Sequence, residues 1–588
     1  MNREQRRNAS KNKENQNNSM FQNLPDNPVE AAVFLHKSGQ FTQAQVLYEQ
    51  ILKSDPENPK VLNGLGLVKA QLGDNQTAAK YVSKAVSLDE NNAGYLSNLG
   101  NIYRAIHALD KAIECYQKAI TINPDYAESH FNLGIALTEN AQIPEAIASL
   151  QQTLKIKPDH PRANITLGDL FQEEELFNEA IEYYQKGLKI NPNFFEGLTS
   201  LAMALYRKGD LLGAQKVYEQ ALSLKPTSPD ALMNIGAVFY EQGKINIAEA
   251  CYREVVKLVP RTTVGHINLA WILNQQDKRK EAIMTYKKAL KNDSNSIEAM
   301  SGLAEVYCLE SEWDKAIKLY QNILKIKPDS TETCASLGLA LRSMGDSEGA
   351  VTQFKKAVEI NHQNIKAYAH LGLALQDVNN SEELTSIFDF DNLVIKYQKE
   401  QVSGWENLAE YNKNLADYVY NHPTLLKDRV GKPINKGRQT YEIFNDNNPL
   451  INTLSEMANQ SITDYLSKSE GKNQFFTQIP SKWKLSGWAV VLSPEGFQKS
   501  HIHPESFISG VYYIKIPDVV RNNDQGEGNL NFGELFPNLS TEEKIAKYTI
   551  KPEEGLLVLF PSYFWHSTIP FGGESDRICI SFNVIPVV

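Results

Sequence analysis

The sequence predicts a multidomain protein in which a long all-α array of helix pairs is followed by a helical spacer and a small all-β domain. A 34-residue period runs through more than half of the 588 residues and stops near residue 380. Short β-branched and aromatic runs, bounded by Gly, Pro, Asn and Asp, begin near residue 487. The predicted boundaries are 1–26 for a disordered Asn-rich tail, 27–378 for the array, 379–486 for the spacer and 487–588 for the β-domain.

The repeat is defined by small, aromatic and proline positions that return every 34 residues. A small residue in the first helix and an alanine in the second let the two helices approach closely, and proline ends the unit. The intervening aromatic position is expected to fill the groove between neighbouring units. The small positions are Gly66, Gly100, Gly134, Gly168, Ala202, Gly236, Ala270, Ala304, Gly338 and Gly372. This pattern resembles the tetratricopeptide repeat over about ten units, followed by a terminal helix at 365–376.

Such an array implies a superhelix whose concave face binds a protein or peptide. Two residues before the small position, several units carry an amide that could pair with a peptide backbone through its C=O and N–H groups. The proposed peptide-binding residues are Asn98, Asn132, Asn234 and Asn268. The alternative is that these amides are solvated helix surface or bond within the array.

The spacer and the β-domain lack the 34-residue period. Apolar residues at helical spacing predict helices at 400–418 and 450–466. Four strand-like runs follow, at 488–492, 508–514, 555–560 and 577–584. About 100 residues suffice for a jelly roll of this kind.

Three histidines within the β-domain are candidate metal ligands. Residues two apart on a strand face the same side, so His501 with His503, or His503 with Glu505, could hold one ion. His566 is the third candidate, and we favour His501, His503 and His566, with Glu505 as the alternative ligand or as a hydrogen-bonding neighbour. Arg577 then begins a strand on which Arg577, Cys579, Ser581 and Asn583 share a face. A buried arginine there needs an anionic partner.

The strings SGWAVVL, HIHPESFISGVYYI, PEEGLLVLFPSYFWHSTIP and DRICISFN resemble a 2-oxoglutarate/Fe(II) oxygenase family that is often fused to tetratricopeptide repeats. The resemblance covers about residues 400–588 and implies a double-stranded β-helix, Fe(II) as cofactor and 2-oxoglutarate as co-substrate. It implies that His501 and His566 bind iron, and that Arg577 and Tyr513 bind the distal carboxylate of 2-oxoglutarate, with Ser581 on the same strand face. His503 stands where the family pattern has Asp or Glu, which leaves the iron one negative charge short.

Composition excludes several other functions. The 60 Lys and Arg residues against 70 Asp and Glu give a net charge of -10 without a basic stripe, so nucleic acid is not an expected partner. Five scattered cysteines fit a reducing compartment, and we find neither a signal-peptide pattern nor a run long enough to span a membrane. We therefore expect a cytoplasmic enzyme that hydroxylates a protein or peptide bound by the array, with no catalytic residues beyond the metal centre. The alternative is a non-catalytic scaffold whose β-domain is inactive.

Overall fold

The computed structural model describes residues 25–427, 433–523, 525–533 and 548–587. Almost all of the predicted tail, 1–26, lies outside these described residues. The chain divides into two compact units, residues 1–260 and 261–588.

The first unit is built from successive helix pairs joined by short turns. Its described helices are α1 (Pro28–Lys37), α2 (Phe41–Ser54), α3 (Pro59–Gln71), α4 (Asn75–Leu88), α5 (Ala93–Ala105), α6 (Leu109–Ile122), α7 (Ala127–Glu139), α8 (Ile143–Ile156), α9 (Pro161–Glu173), α10 (Phe177–Ile190), α11 (Phe195–Lys208), α12 (Leu211–Leu224), α13 (Pro229–Glu241) and α14 (Ile245–Leu258). These are the helix pairs that the 34-residue period predicts.

At the small position of the repeat the two helices of a pair approach closely, and in several pairs they meet through an aromatic ring. A Cβ added at Gly100 would lie 2.6 Å from the ring of Tyr116, which belongs to the second helix of the same pair. A Cβ at Gly64, two residues before the small position Gly66, would lie 2.6 Å from Tyr48 of the preceding pair. The aromatic ring therefore packs against first helices on both sides, and a side chain at the small position would displace it.

The turn inside each pair contains a residue with positive φ, a feature that our sequence analysis missed. The position recurs every 34 residues and is glycine in some pairs, for example Gly73 at φ 88°. In others it is not glycine, as at Ala141 (φ 57°) and Glu175 (φ 59°). The left-handed conformation costs L-residues about 1–2 kcal/mol, so these turns contain local strain that packing of the helices must offset.

The second unit continues the helix pairs and then changes character. Its described helices are α15 (Thr263–Gln275), α16 (Arg279–Asn292), α17 (Ile297–Leu309), α18 (Trp313–Ile326), α19 (Thr331–Met344), α20 (Ser347–Ile360), α21 (Ile365–Asp377), α22 (Ser381–Ile387), α23 (Phe390–Leu393), α24 (Leu408–Tyr420), α25 (Pro449–Ser469) and α26 (Asp518–Arg521), with a 3₁₀ helix at Gln474–Thr477. The predicted terminal helix is α21. The shortened helix α22 follows it, and we call α21 and α22 together the terminal repeat.

The described strands of the second unit form two antiparallel sheets. The larger sheet has the order β1-β8-β5-β10-β4-β3-β2 and the smaller one the order β7-β6-β9. The strands are β1 (Ile395–Gln398), β2 (Leu426–Lys427), β3 (Ile434–Gln439), β4 (Trp483–Gln498), β5 (Ile508–Lys515), β6 (Leu530–Phe532), β7 (Tyr548–Ile550), β8 (Leu556–Pro561), β9 (His566–Thr568) and β10 (Arg577–Pro586). An all-α repeat region followed by an antiparallel β-domain is the fold class that the sequence predicted.

The predicted helical spacer, 379–486, contributes strands as well as helices. Its segments β1, β2 and β3 lie at the two edges of the larger sheet, beyond β8 and β4. These strands are two to six residues long, too short for a clear alternating pattern, which is why the sequence did not reveal them. The spacer also packs into the core, since Tyr465 on α25 donates to the Leu393 carbonyl at 2.9 Å and Tyr512 on β5 donates to Asn412 on α24 at 2.8 Å.

Within the second unit one hydrophobic core joins the last repeats, the spacer helices and the larger sheet. None of the described helices is long and apolar enough to cross a membrane.

Candidate metal centre

The three predicted histidines lie together where the segment after β4 meets the start of β9. The backbones of His501 and His566 exchange two hydrogen bonds, of 3.0 and 3.1 Å. The His503 amide donates to the Ser562 carbonyl at 3.1 Å. Backbone pairing, rather than the side chains, therefore brings together residues that are 65 positions apart in the chain.

The geometry of the three rings suits a single metal ion. The candidate ligand atoms of His501, His503 and His566 all lie within 4.8 Å of one another. The Nε2 atoms of His503 and His566 are 3.2 Å apart. Two imidazole nitrogens about 2.1 Å from a metal and at right angles to each other are about 3.0 Å apart, so this pair is already close to the spacing that coordination needs.

Neighbouring groups orient these rings. The Nδ1 atoms of His501 and His566 lie 2.7 and 2.9 Å from the carbonyl oxygens of Lys499 and Phe564. A protonated Nδ1 donates there and leaves the lone pair of Nε2 available, the tautomer that metal ligands adopt. His503 instead stacks on Trp488, with ring centroids 5.7 Å apart and planes inclined by 15°.

The cluster favours neutral imidazoles. Burial lowers the pKa of His501 below its usual value. Burial lowers the pKa of His566 much further, and the proximity of His501 and His503 adds to the effect. Neutral rings can bind a metal without first losing a proton, so the cluster does not need high pH to act as a ligand set.

Glu505 does not join the cluster in this structure. The chain turns after His503 instead of continuing as a strand, and Glu505 is solvent-exposed within that turn. The two-residue alternation that made Glu505 a candidate therefore does not apply. Among the described residues, the group that could hold a metal is composed of three histidines, which favours His503 over Glu505.

The predicted co-substrate residues line the same cleft as the histidines. Arg577, Tyr513 and Ser581 surround it together with His501, His503 and His566. In the register between β10 and β5, Tyr513 lies opposite Cys579, next to a shift in pairing. The strand pairing thus places the phenol beside the guanidinium, whose central carbon is 5.7 Å from the Tyr513 ring centroid.

Arg577 is a buried cation with incomplete hydrogen bonding. Arg577 is 1% exposed, and its Nη1 donates to the Gly528 carbonyl. Its Nε and Nη2 atoms, and the Tyr513 hydroxyl, have no hydrogen-bond partner among the described residues. Burial raises the pKa of Tyr513, so the phenol stays protonated and can donate. These groups fit a carboxylate, and the three imidazoles fit a divalent metal such as Fe(II).

Sequence reasoning did not single out several cleft residues. Trp488, Gln498, Phe560 and Thr568 also line the cleft. Trp488 lies directly opposite Ser581 in the β4–β10 register. The signal that could have identified Trp488 was its place within the quoted SGWAVVL run.

The four predicted peptide-binding asparagines, Asn98, Asn132, Asn234 and Asn268, which we call the asparagine ladder, are partly buried in their respective units. The Nδ2 atom of Asn98 donates to Oδ1 of Asn63 in the preceding helix pair at 3.1 Å. At this position, the alternative of bonding within the array therefore has a specific contact in its favour. The peptide-binding role of the ladder stays a prediction.

Together, the helix pairs and the β-domain with its histidine cluster define a repeat protein that carries a candidate non-haem metal site. Protein-family models described as "TPR repeat" or "Tetratricopeptide repeat" match residues 35–93, 100–141, 161–194, 203–243, 234–297, 273–338 and 338–378. A model described as "Putative 2OG-Fe(II) oxygenase" matches residues 486–583. The chain thus belongs to the tetratricopeptide repeat proteins and carries a C-terminal domain of that oxygenase family.

Several solved structures are similar to parts of this chain. MamA is 29% identical over 27% of this chain and 94% of its own, with a TM-score of 0.26. YrrB, described as a TPR protein with an unusual peptide-binding site, is 20% identical over 32% of this chain and 96% of its own, with a TM-score of 0.29. Yeast Tom70 is 12% identical over 62% of this chain and 90% of its own, with a TM-score of 0.35. A search of curated proteins found no match.

Proposed function

We propose that the protein is a 2-oxoglutarate- and Fe(II)-dependent oxygenase that hydroxylates a protein or peptide bound by its repeat array. The observation that carries the proposal is the combination of two features in one cleft. Three clustered imidazoles offer lone pairs to a metal, and beside them a buried arginine has two nitrogens that lack partners. A structural ion-pair network would supply Arg577 with a carboxylate from the chain itself, and none of the described residues does so.

Each residue has a role in this mechanism. His501, His503 and His566 would hold the iron and leave it able to bind further ligands. Arg577 and Tyr513 would donate to the far carboxylate of 2-oxoglutarate and orient its other end toward the metal. When bound, the iron with 2-oxoglutarate and O₂ supplies the oxidising chemistry that inserts one oxygen atom into the substrate and releases succinate and CO₂.

The three-histidine ligand set has an electrostatic consequence. A carboxylate ligand would remove one unit of the metal's charge, whereas three neutral imidazoles leave both units in place. Arg577 would supply a further positive charge to the dianionic co-substrate, beside the divalent cation that the three imidazoles would hold. Retention of the co-substrate would therefore depend strongly on charge, and because these groups are buried, added salt would screen the interaction only weakly.

The substrate proposal rests on the tetratricopeptide repeats, which as a class bind proteins and peptides. We propose that the array holds the substrate and that the reaction takes place in the cytoplasm, where the five free cysteines would remain reduced.

An anaerobic titration tests the proposed function. Fe(II) and 2-oxoglutarate added to the full-length protein should give a weak charge-transfer absorption band, and admission of air should release succinate. The variant His566→Ala should abolish both signals. His130→Ala, which changes a histidine of the first unit that contacts the Pro124 carbonyl, should abolish neither. Absence of the band and of succinate in the unaltered protein would favour the alternative function, a non-catalytic scaffold.

A further inference from the structure

The segment that leads into His566 is held by the terminal repeat. Tyr563, Phe564 and Trp565 precede the histidine and are all buried. Their side chains do not line the cleft that contains the histidines. They pack instead against α21, α22 and the residues just after α22, within the same hydrophobic core.

Trp565 makes the most direct contact. Its indole N–H donates to the Ala369 carbonyl on α21 at 3.3 Å. Its ring meets His370 edge to face, with ring centroids 5.8 Å apart. The tryptophan is thus bound by a hydrogen bond and by a ring contact to two successive residues of one helix.

Two further rings of the segment are held in the same way. Tyr563 stacks on Tyr368 of α21, with centroids 5.1 Å apart, and its hydroxyl donates to the Ile387 carbonyl of α22 at 2.9 Å. Phe564 stacks on Phe388 at 5.5 Å. Tyr563 and Trp565 therefore contact the terminal repeat, and Phe564 contacts the residue that follows it.

These contacts reach the histidine through the backbone. The Nδ1 atom of His566 lies 2.9 Å from the Phe564 carbonyl, which belongs to the peptide unit between Phe564 and Trp565. The indole contacts hold the Trp565 backbone in place, and a shift of that backbone would tilt this peptide unit and with it the acceptor that orients the imidazole. A fixed indole therefore fixes the direction in which the histidine presents Nε2.

His370 also connects this contact to the repeat pattern. It lies at the position where Asn98, Asn132, Asn234 and Asn268 stand in earlier repeats. In the terminal repeat the position carries an imidazole, stacked on Phe354 at 5.9 Å and in contact with Trp565. The row of predicted peptide-binding positions thus ends on a residue that the β-domain itself covers.

We propose that the terminal repeat helps to orient a metal ligand. Trp565 is the positioning residue: its contacts with Ala369 and His370 hold it in place, and it in turn orients His566. The inference rests on the proposed function insofar as His566 binds the metal. It also assigns the last tetratricopeptide repeat to the oxygenase domain. The array would then contribute to the metal site as well as to substrate binding.

The test measures binding of Co(II), a redox-stable substitute for Fe(II), to the full-length protein under argon by visible absorption. Trp565→Phe keeps an aromatic ring and removes the N–H donor, and it should weaken Co(II) binding about tenfold, as the loss of outer contacts to metal ligands commonly does. His370→Asn introduces the residue that several earlier repeats have at this position, and it removes the ring contact with Trp565. It should also weaken Co(II) binding. Trp313→Phe changes a tryptophan that begins α18, and it should leave the dissociation constant within about twofold of the unaltered value.

A purely structural role predicts a different result. Trp565→Phe would then lower the melting temperature but bind Co(II) with the original affinity and the original absorption spectrum below that temperature, which would overturn the inference. If Trp565→Phe does not fold, His370→Asn decides by the same criterion. Unaltered protein that binds Co(II) but releases no succinate from Fe(II) and 2-oxoglutarate would refute the proposed function and leave this inference intact. Unaltered protein that binds no Co(II) would refute both.

Discussion

Replacement of Arg577 by methionine should raise or preserve the stability of the metal-free protein while it abolishes tight binding of 2-oxoglutarate. Arg577 is buried, and two of its nitrogens have no partner among the described residues. A buried polar group without a partner costs about 1–3 kcal/mol, and more when it is charged. Methionine fills much of the same space without that cost, so the apparent free energy of unfolding should rise by about 0–3 kcal/mol.

The effect on the co-substrate has the opposite sign. A carboxylate held by a guanidinium through paired, charge-assisted hydrogen bonds in a buried site accounts for about 2–4 kcal/mol. Loss of this interaction corresponds to a dissociation constant for 2-oxoglutarate that is about 30- to 1000-fold weaker. Anaerobic titration of the Fe(II)-loaded protein with 2-oxoglutarate, followed at the charge-transfer band, measures this constant, and chemical denaturation of the metal-free protein measures stability.

Arg438→Met provides a matched control. Its Nη2 lies 2.7 Å from the Asp576 carboxylate, so this arginine already has its anionic partner in the folded chain. The control should lose stability and bind 2-oxoglutarate normally, the reverse of the pattern expected for Arg577→Met. If Arg577→Met loses as much stability as the control and binds 2-oxoglutarate with unchanged affinity, the assignment of Arg577 to the co-substrate is refuted.

Three other predictions concern the metal ligands, pH and the repeat. His503→Ala should weaken Co(II) binding at least tenfold, whereas Glu505→Gln should change it less than twofold. A Co(II) titration of both variants measures this, and the reverse order of effects would identify Glu505 as the ligand. Burial, with Arg342 and Lys366 nearby, lowers the pKa of His370 to about 4 from 6.5, so its contribution to stability is complete above pH 6.5 and is lost as the pH falls toward 4. His370→Asn should therefore reduce the acid loss of stability by about 2–3 kcal/mol, and identical slopes of melting temperature against pH would contradict this. Ala141→Gly should stabilise the first unit by about 0.5–1 kcal/mol, because glycine adopts a positive φ without strain. Gly168→Ala should destabilise the unit by about 1–3 kcal/mol, because the added Cβ would lie 2.5 Å from the Tyr184 ring. Denaturant unfolding measures both changes.

The repeat could be predicted from the sequence because its contacts are local. Gly100 and Tyr116 touch across 16 positions of the chain, and the same pair of residue types recurs in later units. Each helix packs mainly against the other helix of its pair and against the neighbouring pairs. The residue pattern of one period therefore contains most of the information that specifies the fold of the array. The edge strands β1, β2 and β3 had no comparable signal, because a strand of a few residues is defined by the strand beside it.

For the metal centre, the sequence by itself determined which residue types are available: two histidines close together, one distant histidine and an arginine that begins an apolar strand. The tertiary structure decided which of them meet. The turn after His503 directs Glu505 to solvent, the backbone pairing of His501 with His566 closes the cluster, and the β5–β10 register brings Tyr513 to Arg577. It also decided that the terminal repeat contacts the segment before His566. These are long-range pairings between segments whose local patterns do not refer to one another, so only the folded chain determines them.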